Sequence, residues 1–335
     1  MPALTALLID AGNTRVKFGL RRERDYSASP APRETMQTAF SYDEAEAIAA
    51  WLDRVLGEEG VTQGSTRALD GHVVAPSGVT ATPGGVTAAP SGVTAAPSGV
   101  TAAPGGAAPA FSAVLGSNVA GPAVQRMLDD LLAARGAVIQ WQAATASRLG
   151  LVNGYREPTR LGPDRWLGMV GIWACAQRAA FLTTAPLPTE HLLAHFGTAT
   201  TLDTIDATGH FVGGMILPGR DMMRRSLATG TANLPAAEGH IQPFPGDTHD
   251  AIASGVAAAQ AGAVARQWLA VRDRYGRPPL LHVSGGAWLS IATEVQHLLG
   301  AIGSTQIIRV VDNPVLDGLA CVAEADAHSP SSHRS

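Results

Sequence analysis

The sequence predicts an α/β protein made of a duplicated domain. Near the start, Leu8-Ile9-Asp10-Ala11-Gly12-Asn13-Thr14 runs from an apolar strand through a carboxylate into a turn of small residues, and Arg15 to Leu20 reads as the returning strand. About half a chain later, Leu192-Leu193-Ala194-His195-Phe196-Gly197-Thr198-Ala199-Thr200-Thr201-Leu202-Asp203 again runs from apolar strand to Gly-Thr turn to strand. In each half the strands come first and alternating helix and strand follow, the order of a sheet covered by helices. Such a turn offers backbone N–H groups and a hydroxyl to phosphate oxygens, and an Asp at a strand end can hold a magnesium ion. One copy fits an ordinary hairpin turn equally well. Two copies point to a phosphate-bearing ligand.

The elements follow in order from local signals. Ser41 to Glu59 reads as a helix: Ser41 and Glu44 form a capping-box pattern, and Ala45, Ile48, Ala49, Leu52, Val55 and Leu56 share one face. From about 73 to 109 lies a seven-residue tandem repeat, Pro76-Ser77-Gly78-Val79-Thr80-Ala81-Thr82 recurring from Pro83, Pro90, Pro97 and Pro104. Its Pro and Gly exclude a coiled coil, and it lacks large apolar residues, so it is expected to be a disordered surface insertion. Beyond it, a strand is expected at 110–116, a helix at 122–134, a strand at 137–141 and a helix at 163–181, with Pro163 in its first turn. The second half reads as strands at 191–196, 199–206 and 210–217, a helix at 219–229 and a long helix at 248–275. A strand at 280–284, a helix after Gly285-Gly286, a strand at 307–311 and a last helix at 315–326 complete it.

Composition narrows the function. With 335 residues the chain can bury one large core or two modest ones. A net charge of −4 argues against a nucleic-acid partner, which would show a basic face. Cys175 and Cys321 are too few for a disulfide framework, sit in no metal-ligand spacing, and read as two buried thiols in a reducing cytosol. Asp10 interrupts the N-terminal apolar run, so no signal peptide is expected, and no stretch reads as a membrane helix. Lys17 is the only lysine and stands in no GxxxxGK[ST] context, so this is neither a P-loop enzyme nor a protein kinase. Phosphate chemistry must use backbone amides, hydroxyls, arginine and metal.

Further clusters could carry chemistry. Asn153 to Trp166 holds Tyr155, Arg156, Arg160 and a Gly162-Pro163-Asp164-Arg165 turn at a helix start. There Asp164 would complement the helix dipole, with Arg165 as its partner, or serve a reaction. Gly213-Gly214-Met215-Ile216-Leu217-Pro218-Gly219 could line a cleft or merely bound a strand. In Gly246-Asp247-Thr248-His249-Asp250, Asp247 or Thr248 could cap the long helix. Val283-Ser284-Gly285-Gly286-Ala287 is a common nucleotide-contact geometry and also a common turn. His191 and His195, four apart on a strand, are not a zinc pair.

Taken together and in this order, DxGNT, GPDRW, GTATTLD, GGMILPG, DTHDAIASG and SGGA resemble the type III pantothenate kinases, from about Leu4 to Ala325 without the repeat. The resemblance implies the acetate-and-sugar-kinase/Hsc70/actin fold, two ribonuclease H-like domains around a nucleotide cleft. Residues 1–185 would form one ATPase-like domain and 186–328 the other, its last helix packing back on the first, with a disordered tail at 329–335. It further implies a cytoplasmic homodimer that uses ATP and a divalent cation such as magnesium to phosphorylate pantothenate. Asp10 resembles the metal-site carboxylate, bound through water. Ala11, Gly12, Asn13 and Thr14, with Arg15, Val16 and Lys17, resemble the first phosphate turn, and Gly197, Thr198, Ala199 and Thr200 the second. Asp164 is similar to the general base, and Tyr155, Gly162, Pro163, Arg165 and Thr248 to the pantothenate contacts. Gly285 and Gly286 resemble the adenosine-side loop.

One position departs from the pattern. His195 stands where many members carry an Asp linked to a bound monovalent cation. Imidazole is a poor ligand for a hard alkali ion, so the substitution is either inert or makes dependence on potassium or ammonium weaker than in relatives with Asp. Protonated, it would place positive charge near the phosphates and make activity fall as pH rises through roughly 6–7. Two other readings compete: an accessory protein that kept the fold, and a same-fold phosphotransferase with another substrate. A pure binding module has no need for Asp10, Asn13, Thr14, Asp164 and Arg165 together. The Tyr155–Arg165 cluster is what favours pantothenate.

Overall fold

In the computed structural model, alternation along the first strand sets the architecture. The structure describes residues 6–22, 32–33, 37–58, 113–183, 189–236, 238–305 and 307–328; the repeat and the tail lie outside them. Strand β1 (Ala6–Ala11) is buried throughout: Leu7, Ile9 and Ala11 enter one core, while Ala6 and Leu8 enter another on the opposite face. A strand apolar on both faces belongs at the centre of a covered sheet. β2 (Arg15–Arg21) returns antiparallel beside it, and β3 (Gln37–Ser41), which the sequence did not signal, pairs with β2. Helix α1 (Ala45–Glu58) starts four residues later than expected because β3 runs through Ser41. One arm of the capping box forms, with the Ser41 N–H donating to Glu44 Oε2 at 2.6 Å. β4 (Ala113–Asn118) runs parallel to β1, α2 (Pro122–Ala133) follows, and only Gln140–Trp141 of the expected 137–141 strand pairs, as β5. The strand order is β3-β2-β1-β4-β5.

The second half repeats that order. Short strands β6 (Ser147–Arg148) and β7 (Leu151–Asn153) lead to α3 (Pro163–Thr183). Then come β8 (His191–Phe196), β9 (Ala199–Ile205) and β10 (His210–Pro218), all antiparallel, followed by α4 (Arg220–Gly230) and α5 (Thr248–Tyr275). Asp247 caps α5, its side chain accepting from the Asp250 N–H at 2.9 Å. β11 (Leu280–Ser284) lies parallel to β8, α6 (Trp288–Ala301) follows, and the expected strand at 307–311 pairs only as β12 (Arg309–Val310). Helix α7 (Pro314–His328) closes the described chain. From β10, the sheet runs β10-β9-β8-β11-β12, the same pattern as the first sheet, extended past β10 by β7 and β6.

The layers explain where a site can form. On the outer face of the first sheet, Leu7, Ile9, Phe18, Ile48, Leu52, Leu128 and Leu132 pack β1 and β2 against α1 and α2. On the outer face of the second, Leu192, Ala194 and Phe196 meet Ala261, Val264 and Trp268 of α5 and Ile291 and Val295 of α6. Between the two sheets lie α3 and α7, with Trp166, Val170, Leu316 and Leu319 packed against Leu8 and Leu115 on one side and Leu193, Ile205 and Phe211 on the other. Asp10 and His195 share the inward faces of β1 and β8 with Leu8 and Leu193, so both point toward this middle layer at the strand ends.

Candidate active site

A cleft of about 570 Å³ opens where the two hairpin turns face each other. From the first hairpin come Asp10, Gly12, Asn13, Thr14, Arg15 and Lys17; from the second, His195, Gly197, Thr198 and Ala199. Gly285 and Gly286 border it after β11, and Asp164 and Arg165 enter from the start of α3. The two turns have related backbone closures, Gly12 N–H to Arg15 O and Gly197 N–H to Ala199 O, both at 3.1 Å. Tyr42 hydroxyl steadies the first by donating to Gly12 O at 2.5 Å. Gly219 fits against the second, donating to Thr198 O at 3.0 Å where a Cβ would collide with Gly197 O.

Asp10 is buried, and its Oδ2 accepts from Lys17 Nζ at 3.2 Å and from Asn313 Nδ2 at 3.3 Å. Asn313 also caps α7, its Oδ1 accepting from the N–H groups of Val315 and Leu316 at 3.1 Å each. Both Asp10 partners sit on Oδ2, which leaves Oδ1 for a ligand. Among the described residues no group of three His, Cys, Asp or Glu side chains could hold a metal. A single carboxylate oxygen left open on Asp10 fits magnesium, which commonly takes one or two carboxylates and fills its octahedron with waters and phosphate oxygens.

Burial pushes the Asp164 carboxyl above the ordinary range and nearby Asp10 adds to this, while the Arg165 N–H, at 2.8 Å from Oδ1, works against it. Arg165 is held as a fork: Nε lies 3.2 Å from both Asp203 oxygens, Nη2 lies 2.5 Å from Oδ1, and Nη1 donates to Tyr155 hydroxyl at 2.9 Å. Burial opposes the guanidinium charge, but Asp203 and Tyr155 more than offset it, so Arg165 stays cationic. Burial raises the Asp203 carboxyl, against the lowering effect of Arg165. Tyr155 stacks on Phe211 with ring centroids 5.5 Å apart.

Several expected site residues lie elsewhere. Ala11 and Val16 face the outer core of the first sheet, under the turn they flank. Thr200 is buried away from the cleft; alternation along β9 turns Thr201 and Asp203 to the cleft in its place. Gly162 and Pro163 form the turn into α3 rather than lining the cleft, and Tyr155 reaches it through Arg165. Thr248 borders a separate groove of about 510 Å³ between α4 and α5, with Met223, Leu227, Leu234, Ile252 and Val256. His191 pairs with His282, ring nitrogens 3.0 Å apart. Cys321 is buried, whereas Cys175 is half-exposed.

The expected positive charge on His195 does not arise. Burial and the Lys17 ammonium pull its pKa down to about 4, with Asp10 only partly opposing, so the ring is neutral near pH 7. Other residues of the site had no role assigned from sequence: Asp203, Asn313, Tyr42, and Asp221, Met222 and Arg225 of α4. Asp203 closes the GTATTLD motif two residues after Thr201, so β alternation could have found it. Asn313 acts through a contact that spans 303 positions and Tyr42 through one that spans 30.

Two sheets of like strand order, each aiming a glycine-containing hairpin into a shared cleft, with the half-buried Asp164 carboxylate in the same cleft, give the architecture of the acetate-and-sugar-kinase/Hsc70/actin fold. The sequence profile of type III pantothenate kinase matches residues 92–270. The chain is 50% identical to a type III pantothenate kinase of Bordetella bronchiseptica over 62% of its own length and 77% of that protein. It is 46% identical to one of Bordetella petrii, over 62% and 78% of the two chains, and 42% identical to one of Aromatoleum aromaticum, over 66% and 82%. The chain belongs to the type III pantothenate kinase family.

Proposed function

We propose that this enzyme transfers the γ-phosphoryl group of ATP to the primary hydroxyl of pantothenate, giving 4'-phosphopantothenate, the first step of coenzyme A biosynthesis. The observation that carries this reading is the placement of the half-buried Asp164 carboxylate, at the start of α3, in one cleft with both hairpin turns. Phosphoryl transfer through a loose transition state needs positioning and charge stabilisation more than covalent help. Asp164 would accept the hydroxyl proton as the bond to phosphorus forms, and a carboxyl raised by burial is a better base for that task than an ordinary one. The turn at Gly12-Asn13-Thr14 and the turn at Gly197-Thr198-Ala199 would hold phosphate oxygens through N–H groups and hydroxyls, with Lys17 and Arg15 adding charge. Asp10 would hold the magnesium ion, which when bound draws electron density from the phosphate oxygens.

The neutral His195 offers no hard oxygen to an alkali ion, so the reading includes weak dependence on potassium. Thr248 would contribute to pantothenate binding only in a homodimer that carries its groove to a partner's cleft. No helix among the described residues is long and apolar enough to cross a membrane, and we place the enzyme in the cytoplasm. The test is ADP release by the purified protein with ATP, magnesium and pantothenate, with the product identified by mass. Phosphorylated pantothenate is expected. ADP and free phosphate with unmodified pantothenate would overturn the reading in favour of a same-fold hydrolase.

A further inference from the structure

Arg165 has five N–H donors. Three are committed inside the protein: the Nε and one Nη2 donor to Asp203, and one Nη1 donor to Tyr155 hydroxyl. Two remain, one on each terminal nitrogen, on a side chain that lines the cleft beside Asp164. Asp203 itself is fully buried on β9. Opposite it on β10 stands Gly214, where a Cβ would collide with Asp203 Oδ1 and with Arg165 Nη2. Three elements thus make room for one ion pair: α3 brings the cation, β9 the anion, and β10 withholds a side chain.

That arrangement changes what Arg165 can do. With its charge largely cancelled by a carboxylate in bidentate contact, it is a weak long-range lure for an anion. What it retains is direction, since a planar guanidinium fixed along one edge aims its other donors. We propose that Asp203 is a positioning residue for the acceptor, fixing the Nε–Nη2 edge of Arg165 so that its two remaining N–H groups meet the carboxylate of the acceptor. This rests on the acceptor being an acid such as pantothenate.

Steady-state kinetics on the full-length enzyme test it, with pantothenate and with pantothenol, in which a neutral CH₂OH replaces the carboxylate. Asp203→Asn keeps the side-chain shape and removes the charge. The pantothenate KM should rise about 10- to 100-fold, the usual worth of hydrogen bonds to a charged group. The ATP KM and kcat should change less than about threefold, and the KM for pantothenol should barely move. In an Arg165→Gln background, Asp203→Asn should add no further rise, because the anion acts only through the cation. An unchanged pantothenate KM in Asp203→Asn overturns the proposal, as do single effects that multiply in the double variant. Should either single variant fail to fold, the double variant, which carries no buried charge, decides: a pantothenate KM equal to the parent's overturns the proposal. If the parent phosphorylates neither compound, it is the functional reading that has failed, a result separable from all of these.

Discussion

Asp10-Ala11-Gly12 on the first hairpin and His195-Phe196-Gly197 on the second stand at the same point of the same strand order. Opposite Asp10 across the ladder is Lys17; opposite His195 is Thr201. The first hairpin thus carries an ion pair braced by Asn313, and the second carries an imidazole kept neutral by burial and by that same Lys17. The backbone of the two turns is alike and their charge is not. A duplicated fold can keep the phosphate-cradling shape in both halves, because shape comes from the turn, and confine ion chemistry to one half, because charge comes from a single side chain.

The largest expected effect lies outside both hairpins and calibrates them. Asp164→Asn should keep the melting temperature and ATP binding and lower kcat about 10²–10⁴-fold. Near-normal turnover in a folded variant would remove Asp164 as the base. Next, matched changes at the equivalent positions should give unequal losses. Asp10→Asn should cost at least about 100-fold in kcat through lost charge stabilisation of the phosphates, and His195→Ala less than about tenfold. Comparable losses would show that both hairpins carry ion chemistry.

A smaller effect should follow from restoring a carboxylate to the second hairpin. His195→Asp should increase activation by potassium at fixed magnesium; strong potassium activation of the parent, unchanged in the variant, would place the cation on other oxygens. The parent's activity should show no loss attributable to His195 between pH 6 and 7. Because folding depresses its pKa from 6.5 to about 4, its contribution to stability is full above about pH 6.5 and is lost as pH falls toward 4. Thermal melts from pH 7 to 4 should decline less steeply in His195→Ala, and an unchanged slope would refute this. The smallest effect is expected from deleting residues 76–103, which hold none of the site residues: closure entropy changes by only about 1 kcal/mol, and turnover should stay near the parent's.

Both hairpins were legible in the sequence because a turn is local: Gly12-Asn13-Thr14 and Gly197-Thr198 carry their own geometry. The long helices and the core strands were legible for the same reason, with apolar spacing fixing their faces. The edge strands β3 and β6, and β7 beside β6, were not, since short strands at a sheet margin draw stability from their neighbours more than from their own composition. The resemblance places Thr200 in the second turn, whereas its side chain is buried and Thr201 lines the cleft; one residue in a strand is the difference between the cleft and the core. The Arg165–Asp203 pair was out of reach because 38 positions separate two side chains that only the tertiary fold brings together. His195 was read with its solution chemistry, whereas its protonation is set by burial and by a lysine on the other domain's hairpin.

Asn313 has a consequence for the order in which a working enzyme is made. The first hairpin leaves the ribosome well before α7, and its two strands can pair with each other at once. Its buried carboxylate, Asp10, however, is braced by a residue that caps the last described helix, and α7 also fills the space between the two sheets. A nascent chain that stops short of residue 313 therefore has both turns and an Asp10 held by Lys17 alone. Catalytic competence follows the synthesis of α7, and the first hairpin must wait for a helix whose cap stands 303 positions beyond Asp10.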